Sequence, residues 1–188
     1  MTPSSWSTQL DLMERYPEHR FVASQAQQFK WLEQDYPQLF KKVKAKVVDG
    51  QFLPIGGMWV ESDQLLPSGE SLARQFLYGQ RYFKSRFGQY CRVFWLPDSF
   101  GYNSASPQIA RLAGLDFFFT QKSVSLDLYE QSSLKADLLI PRLSWSQFND
   151  FPHTTFRWQG QDQTQIVVHM CPQNTVSTWR FSRTEADR

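Results

Sequence analysis

The stretch FWLPDSFGYN, Phe94 to Asn103, sets one carboxylate, Asp98, where an apolar run stops. Trp95, Phe100 and Tyr102 surround it with aromatic surface, and Gly101 allows a close backbone approach. A carboxylate so placed has three uses. It can cap the following turn, because Asp accepts hydrogen bonds from backbone amides two residues on. It can be a hard oxygen ligand for a divalent metal. Framed by rings that suit the apolar face of a sugar, it can also stabilise a developing oxocarbenium ion or attack it covalently.

Which use applies depends on the elements that carry it. RFVAS, residues 20–24, reads as a short strand. QFLPIGGMWV, residues 51–60, reads as a second, CRVFWLP, residues 91–97, as a third, and DFFFTQ, residues 116–121, as a fourth. Helical spacing fills the gaps. Leu10, Met13 and Tyr16 mark a helix ending before Pro17, residues 25–50 a helical stretch broken near Pro37, and residues 69–87 a long helix closed by Gly88. Pro107 opens a further helix and Gly114 ends it. TTFRWQGQDQTQIVVHM, residues 154–170, has the alternation and turn of a hairpin.

This order is the rhythm of an α/β fold, a mostly parallel sheet flanked by helices, with a hairpin at the C-terminal side. The apolar runs in residues 93–96 and 117–119 predict strands buried on both faces. Ligands in such sheets sit beyond the carboxyl ends of the strands. Three polar clusters fall there: Ser24 with Gln25 and Gln27, Glu61 with Asp63, and Asp98. Glu61 and Asp63 are candidates for lining a pocket, or else solvated loop carboxylates.

Composition narrows the partners. The 188 residues carry 20 Lys and Arg against 18 Asp and Glu, a formal charge of +2, too mild for a phosphate-tracking surface, so nucleic acid is disfavoured. No apolar stretch approaches the ~20 residues of a membrane span, and the first residues lack a signal peptide's apolar core, so a soluble protein without a secretory leader is expected. Cys91 and Cys171 are isolated and imply neither a zinc knuckle nor a disulfide framework. No glycine-rich phosphate loop follows any strand.

Four long stretches, residues 20–40, 54–88, 94–109 and 151–160, together resemble glycoside hydrolase family 38, the class II α-mannosidases, and within it the cytosolic and vacuolar branch. The resemblance implies a seven-stranded, barrel-like catalytic domain, incomplete here, and zinc-dependent retaining hydrolysis of terminal α-mannosyl residues from oligosaccharides in cytoplasm or vacuole. It implies that Asp98 is the nucleophile and a zinc ligand. With the aromatic frame of Trp95, Phe100 and Tyr102, it draws Glu61 and Asp63 towards the substrate; Lys122 stands where the family carries a basic residue, as a cation that keeps Asp98 ionised or a snorkelling surface lysine, and His153 falls in a family-like motif as a sugar contact or a polar core contact. It leaves room for a homo-oligomer.

The sequence departs from the family in places. A His-x-Asp motif, a second ligand histidine and the acid/base carboxylate, which the resemblance calls for, are missing from these residues; His19, His153 and His169 do not replace them. A zinc site needs about three protein ligands. The expectation is therefore the central piece of a larger catalytic domain, residues 1–175, that does not turn over substrate alone. Residues 123–142 interrupt it as an insertion and 176–188 follow as a non-family tail, both with the character of translated intron sequence. The competing reading is a truncated, non-catalytic remnant that at most binds carbohydrate.

Overall fold

The computed structural model describes residues 3–121, 124–126, 143–145 and 154–170. Helices α1 (Pro3–Arg15), α2 (Ala26–Asp35) and α3 (Pro37–Val48) surround strands β1 (Phe21–Ala23) and β2 (Phe52–Pro54), which pair in parallel with Phe21 opposite Phe52. Pro37 sits in the first turn of α3, where a missing amide proton costs nothing, which is why the helical stretch breaks there and resumes. The long helix α4 (Gly69–Phe87) has the ends its sequence predicts. The Ser68 hydroxyl accepts from the Ser71 amide, and Gly88 at φ 77° takes the left-handed C-terminal position.

Strands β3 (Val93–Trp95) and β4 (Phe117–Thr120), with helix α5 (Ser106–Leu112) between them, lead to a second sheet. Strands β5 (Val124–Leu126) and β6 (Leu143–Trp145) form a separate antiparallel pair, and β7 (Thr155–Gln159) and β8 (Gln165–Met170) form the expected hairpin. The second sheet runs in the order β3, β4, β8, β7, parallel until the last pair. One backbone bond, from the Gly56 amide to the Val93 carbonyl at 2.9 Å, ties the segment after β2 to β3 and sets the two sheets against each other. The result is the expected α/β architecture, parallel sheets flanked by five described helices, with no closed barrel among the described residues. No described helix is long and apolar enough to cross a membrane.

Two sequence expectations are corrected. The apolar stretch 51–60 is a strand only at Phe52–Pro54, because Gly56 and Gly57 adopt φ of 89° and 72° and turn the chain out of the ladder. Strands β3 and β4 are covered on one face only among the described residues. Phe94 and Phe118 are buried, with Phe94 edge-on to Phe76 of α4, while Phe117 on the opposite face is 45% exposed. Period-two alternation sends neighbours to opposite faces, and the continuous apolar run concealed that difference.

Candidate active site

The site begins with the segment after β2. Helix α2 turns its first amides onto it, Ala26 to the Met58 carbonyl at 3.3 Å and Gln27 to the Trp59 carbonyl at 3.0 Å. Helix α4 holds it from the other side, the Gln75 carbonyl accepting from the Trp59 amide at 2.9 Å and the Gln75 side chain from the Val60 amide at 3.0 Å. The Trp59 indole donates to the Gln27 side chain at 2.8 Å. With these backbone donors paired, the chain delivers Glu61 from a fixed frame.

Glu61 accepts a hydrogen bond from the Ser24 hydroxyl, which joins the residues that follow β1 and β2. Burial pushes the Glu61 carboxyl above the usual carboxylate range; the Ser24 bond works against this, and the charge of Asp98 adds to it. Glu61 and Asp98 are thus electrostatic neighbours although 37 positions apart. Asp98 is exposed, just beyond β3, where the ladder continues as far as the bond from the Gln121 amide to the Pro97 carbonyl at 3.3 Å. Below it the Ser99 hydroxyl donates to the Gly101 carbonyl at 3.0 Å and shapes the turn.

The aromatic frame divides into two kinds. Phe100 is 80% exposed beside Asp98 and available to a ligand. Trp95 is half-buried and stacks on Phe119 with centroids 4.0 Å apart and planes 6° from parallel; Phe119 in turn faces His169 at 6.1 Å. These three residues are register neighbours on β3, β4 and β8, so they form one aromatic stripe across the sheet. Tyr102 is not surface. It is 3% exposed, its hydroxyl donates to the Leu96 carbonyl at 3.0 Å and bonds the Thr120 hydroxyl, and it packs edge-on against Phe118. Burial, with the Asp98 charge adding, pushes its phenol up to about 12. It is a prop under the Asp98 turn and offers no surface to a ligand.

Asp63 also leaves the expected role. One of its oxygens accepts from the Leu65 and Leu66 amides at 2.7 and 2.8 Å, which makes it the cap of a loop turn. Gln27 is taken up by Trp59. Lys122 and His153 lie outside the described residues. The pair that sequence reading left unlinked is Ser24 and Glu61; their positions beyond two parallel neighbours were the only signal.

Among the described residues no three His, Cys, Asp or Glu side chains come together in a way that could hold a metal ion. The described residues therefore do not by themselves make a zinc centre, for which about three protein ligands are needed.

The arrangement comprises a carboxylate at a parallel strand's end, a second carboxyl beside it and an exposed phenylalanine. The family model for the glycosyl hydrolases family 38 N-terminal domain matches residues 1–126 and 126–180. The chain belongs to glycosyl hydrolase family 38. An alpha-mannosidase of Saccharomyces cerevisiae is 51% identical over 174 residues, 92% of this chain and 14% of that protein. Human alpha-mannosidase 2C1 is 45% identical over 168 residues, 89% of this chain and 14% of that protein. The family 38 chain thus spans about a seventh of the length of these relatives. Among solved structures, an alpha-mannosidase from Enterococcus faecalis superposes with a TM-score of 0.70 at 22% identity, over 99% of this chain and 20% of that one. A 4-alpha-glucanotransferase from Thermococcus litoralis reaches 0.63 at 13% identity, over 94% of this chain and 24% of that one. These two likenesses concern the fold.

Proposed function

We propose that this chain is part of the catalytic domain of an α-mannosidase that hydrolyses terminal α-mannosyl residues of oligosaccharides with retention of configuration, and that Asp98 is its nucleophile. The observation that carries the proposal is the placement of Asp98, exposed beyond the carboxyl end of β3 beside Glu61 and Phe100, in a chain of family 38. In a parallel sheet that is where substrates arrive. The Asp98 carboxylate attacks the anomeric carbon as the glycosidic bond breaks, and a second carboxyl group protonates the departing oxygen. Phe100 offers its ring to the apolar face of the sugar, and the half-buried Trp95 precedes Asp98 at the end of β3.

Family membership alone brings zinc into the proposal: Asp98 is the ligand this chain contributes, and no step above depends on the ion. Lys122 and His153 remain proposed substrate contacts, as does a cytoplasmic or vacuolar setting. The division into residues 1–175 with an insertion at 123–142 and a tail at 176–188 belongs to the same proposal.

The test is hydrolysis of a p-nitrophenyl α-mannoside by the full polypeptide that carries this chain, with the first-formed anomer read by proton NMR. α-Mannose as the initial product is expected. β-Mannose would overturn the retaining mechanism, and no hydrolysis alongside preserved mannose binding would favour the non-catalytic remnant.

A further inference from the structure

Glu61 has two carboxylate oxygens, of which the described residues engage one. Its Oε1 accepts from Ser24, and no other hydrogen bond reaches the carboxyl from any described residue. The group is only partly buried and shares a field with Asp98, so its second oxygen is an acceptor that has no donor among the described residues. A half-desolvated acceptor without a donor is costly unless water or a ligand supplies one. Sugar hydroxyls are such donors.

Ser24 is what makes this acceptor directional. It is 7% exposed, and its own position is set by packing: a Cβ on Gly56 would come within 2.9 Å of the Ser24 carbonyl and 3.0 Å of its Cβ, so only a glycine lets the β2 end lie against it. The same Gly56 holds β3 through Val93. Ser24, Gly56 and the strand that leads to Asp98 therefore form one connected unit. The carboxyl of Glu61 is locked to that unit by the Ser24 hydroxyl and not left to rotate in a loop.

We infer that Ser24 is a positioning residue of the sugar site: its hydrogen bond turns the free oxygen of Glu61 towards a hydroxyl of the mannosyl ring held at Asp98, and the pair selects the sugar by that hydroxyl. This inference rests on the proposed mannosidase function and adds a specificity element to it. An interaction made equally in the ground and transition states raises KM when lost and leaves kcat in place. A site built around a hydroxyl also discriminates strongly against the analogue that lacks it.

The experiment uses the full polypeptide with p-nitrophenyl α-mannoside and a series of monodeoxy α-mannosides. For Ser24→Ala and Glu61→Gln, KM is expected to rise about tenfold with kcat changed less than about twofold. The double variant is expected to be no worse than the weaker single one, because both remove the same contact. One deoxy-mannoside should be penalised in the unaltered protein and lose that penalty in both variants, which a purely structural role would not produce. If Ser24→Ala fails to fold, Glu61→Gln carries the same readouts. Additive effects, an unchanged KM, or a deoxy penalty that survives in the variants would overturn the inference while leaving the mannosidase reading intact. No binding or hydrolysis of any mannoside by the unaltered protein would overturn both.

Discussion

Asp98→Asn removes hydrolysis of α-mannosides, lowering kcat by roughly 10⁴-fold, the scale seen when a nucleophile or its essential partner is deleted. The expectation follows from charge and position together. The amide is nearly the same shape as the carboxylate but carries no negative charge to meet the developing oxocarbenium ion and no competent oxygen to form the glycosyl ester. Asp98 is exposed, and the amide keeps the shape of the carboxylate, so the substitution opens no cavity. Thermal unfolding should therefore stay where it was while activity disappears. The paired control is Asp49→Asn at the exposed end of α3, which should leave both unchanged. A variant at Asp98 that retained a tenth or more of the activity would remove this residue from the nucleophile's role.

Gly79→Ala should be the most damaging small substitution in the fold. Helix α4 crosses the segment after β2 so closely at this glycine that an added Cβ would overlap the Gly57 carbonyl oxygen and the backbone of Met58, whose carbonyl oxygen would lie 2.7 Å away. Backbone cannot rotate out of the way as a side chain can, so the helix or the segment must move. An alanine would ordinarily gain about 1 kcal/mol within a helix. Overpacking against fixed backbone is expected to outweigh that and leave a net loss of about 3 kcal/mol. For a domain of this size that corresponds to a fall of roughly 6–12 °C in melting temperature. Because the displaced segment carries Trp59 and Glu61, mannoside hydrolysis should fall in parallel with stability. A melting temperature within about 2 °C of the unaltered protein would show that the crossing is looser than described.

How much of this could be read from residues alone follows a physical line. The ends of α4 were legible because a Ser hydroxyl and a left-handed glycine act locally. The break at Pro37 and the hairpin around residues 160–164 were legible for the same reason. The place of Asp98 just past the end of β3 was legible because the neighbouring apolar run marks where the strand stops. What was not legible is what depends on distant partners. The insertion of β8 between β4 and β7 is decided by pairing across the chain. The burial of Tyr102 depends on Thr120 and the Leu96 carbonyl, which a view of its immediate neighbours could not supply. Asp63 looked like a site residue beside Glu61, yet its oxygen serves two amides of its own loop. The strand at 52–54 ended early because two consecutive glycines took positive φ, Gly56 against Ser24 and Gly57 against Gln80 of α4, contacts with distant parts of the chain.

The central claim, that Asp98 forms a bond to the sugar, can be tested on the bond itself. Incubation of the full polypeptide with an activated fluoro-mannoside, whose electron-withdrawing fluorine slows breakdown of the glycosyl ester, followed by peptide mass mapping, locates the attacking group. A fluoro-mannosyl adduct on the carboxylate of Asp98, absent in Asp98→Asn, is the expected result. An adduct on Glu61 or any other carboxylate, or rapid turnover of the activated sugar with no adduct at all, would contradict it.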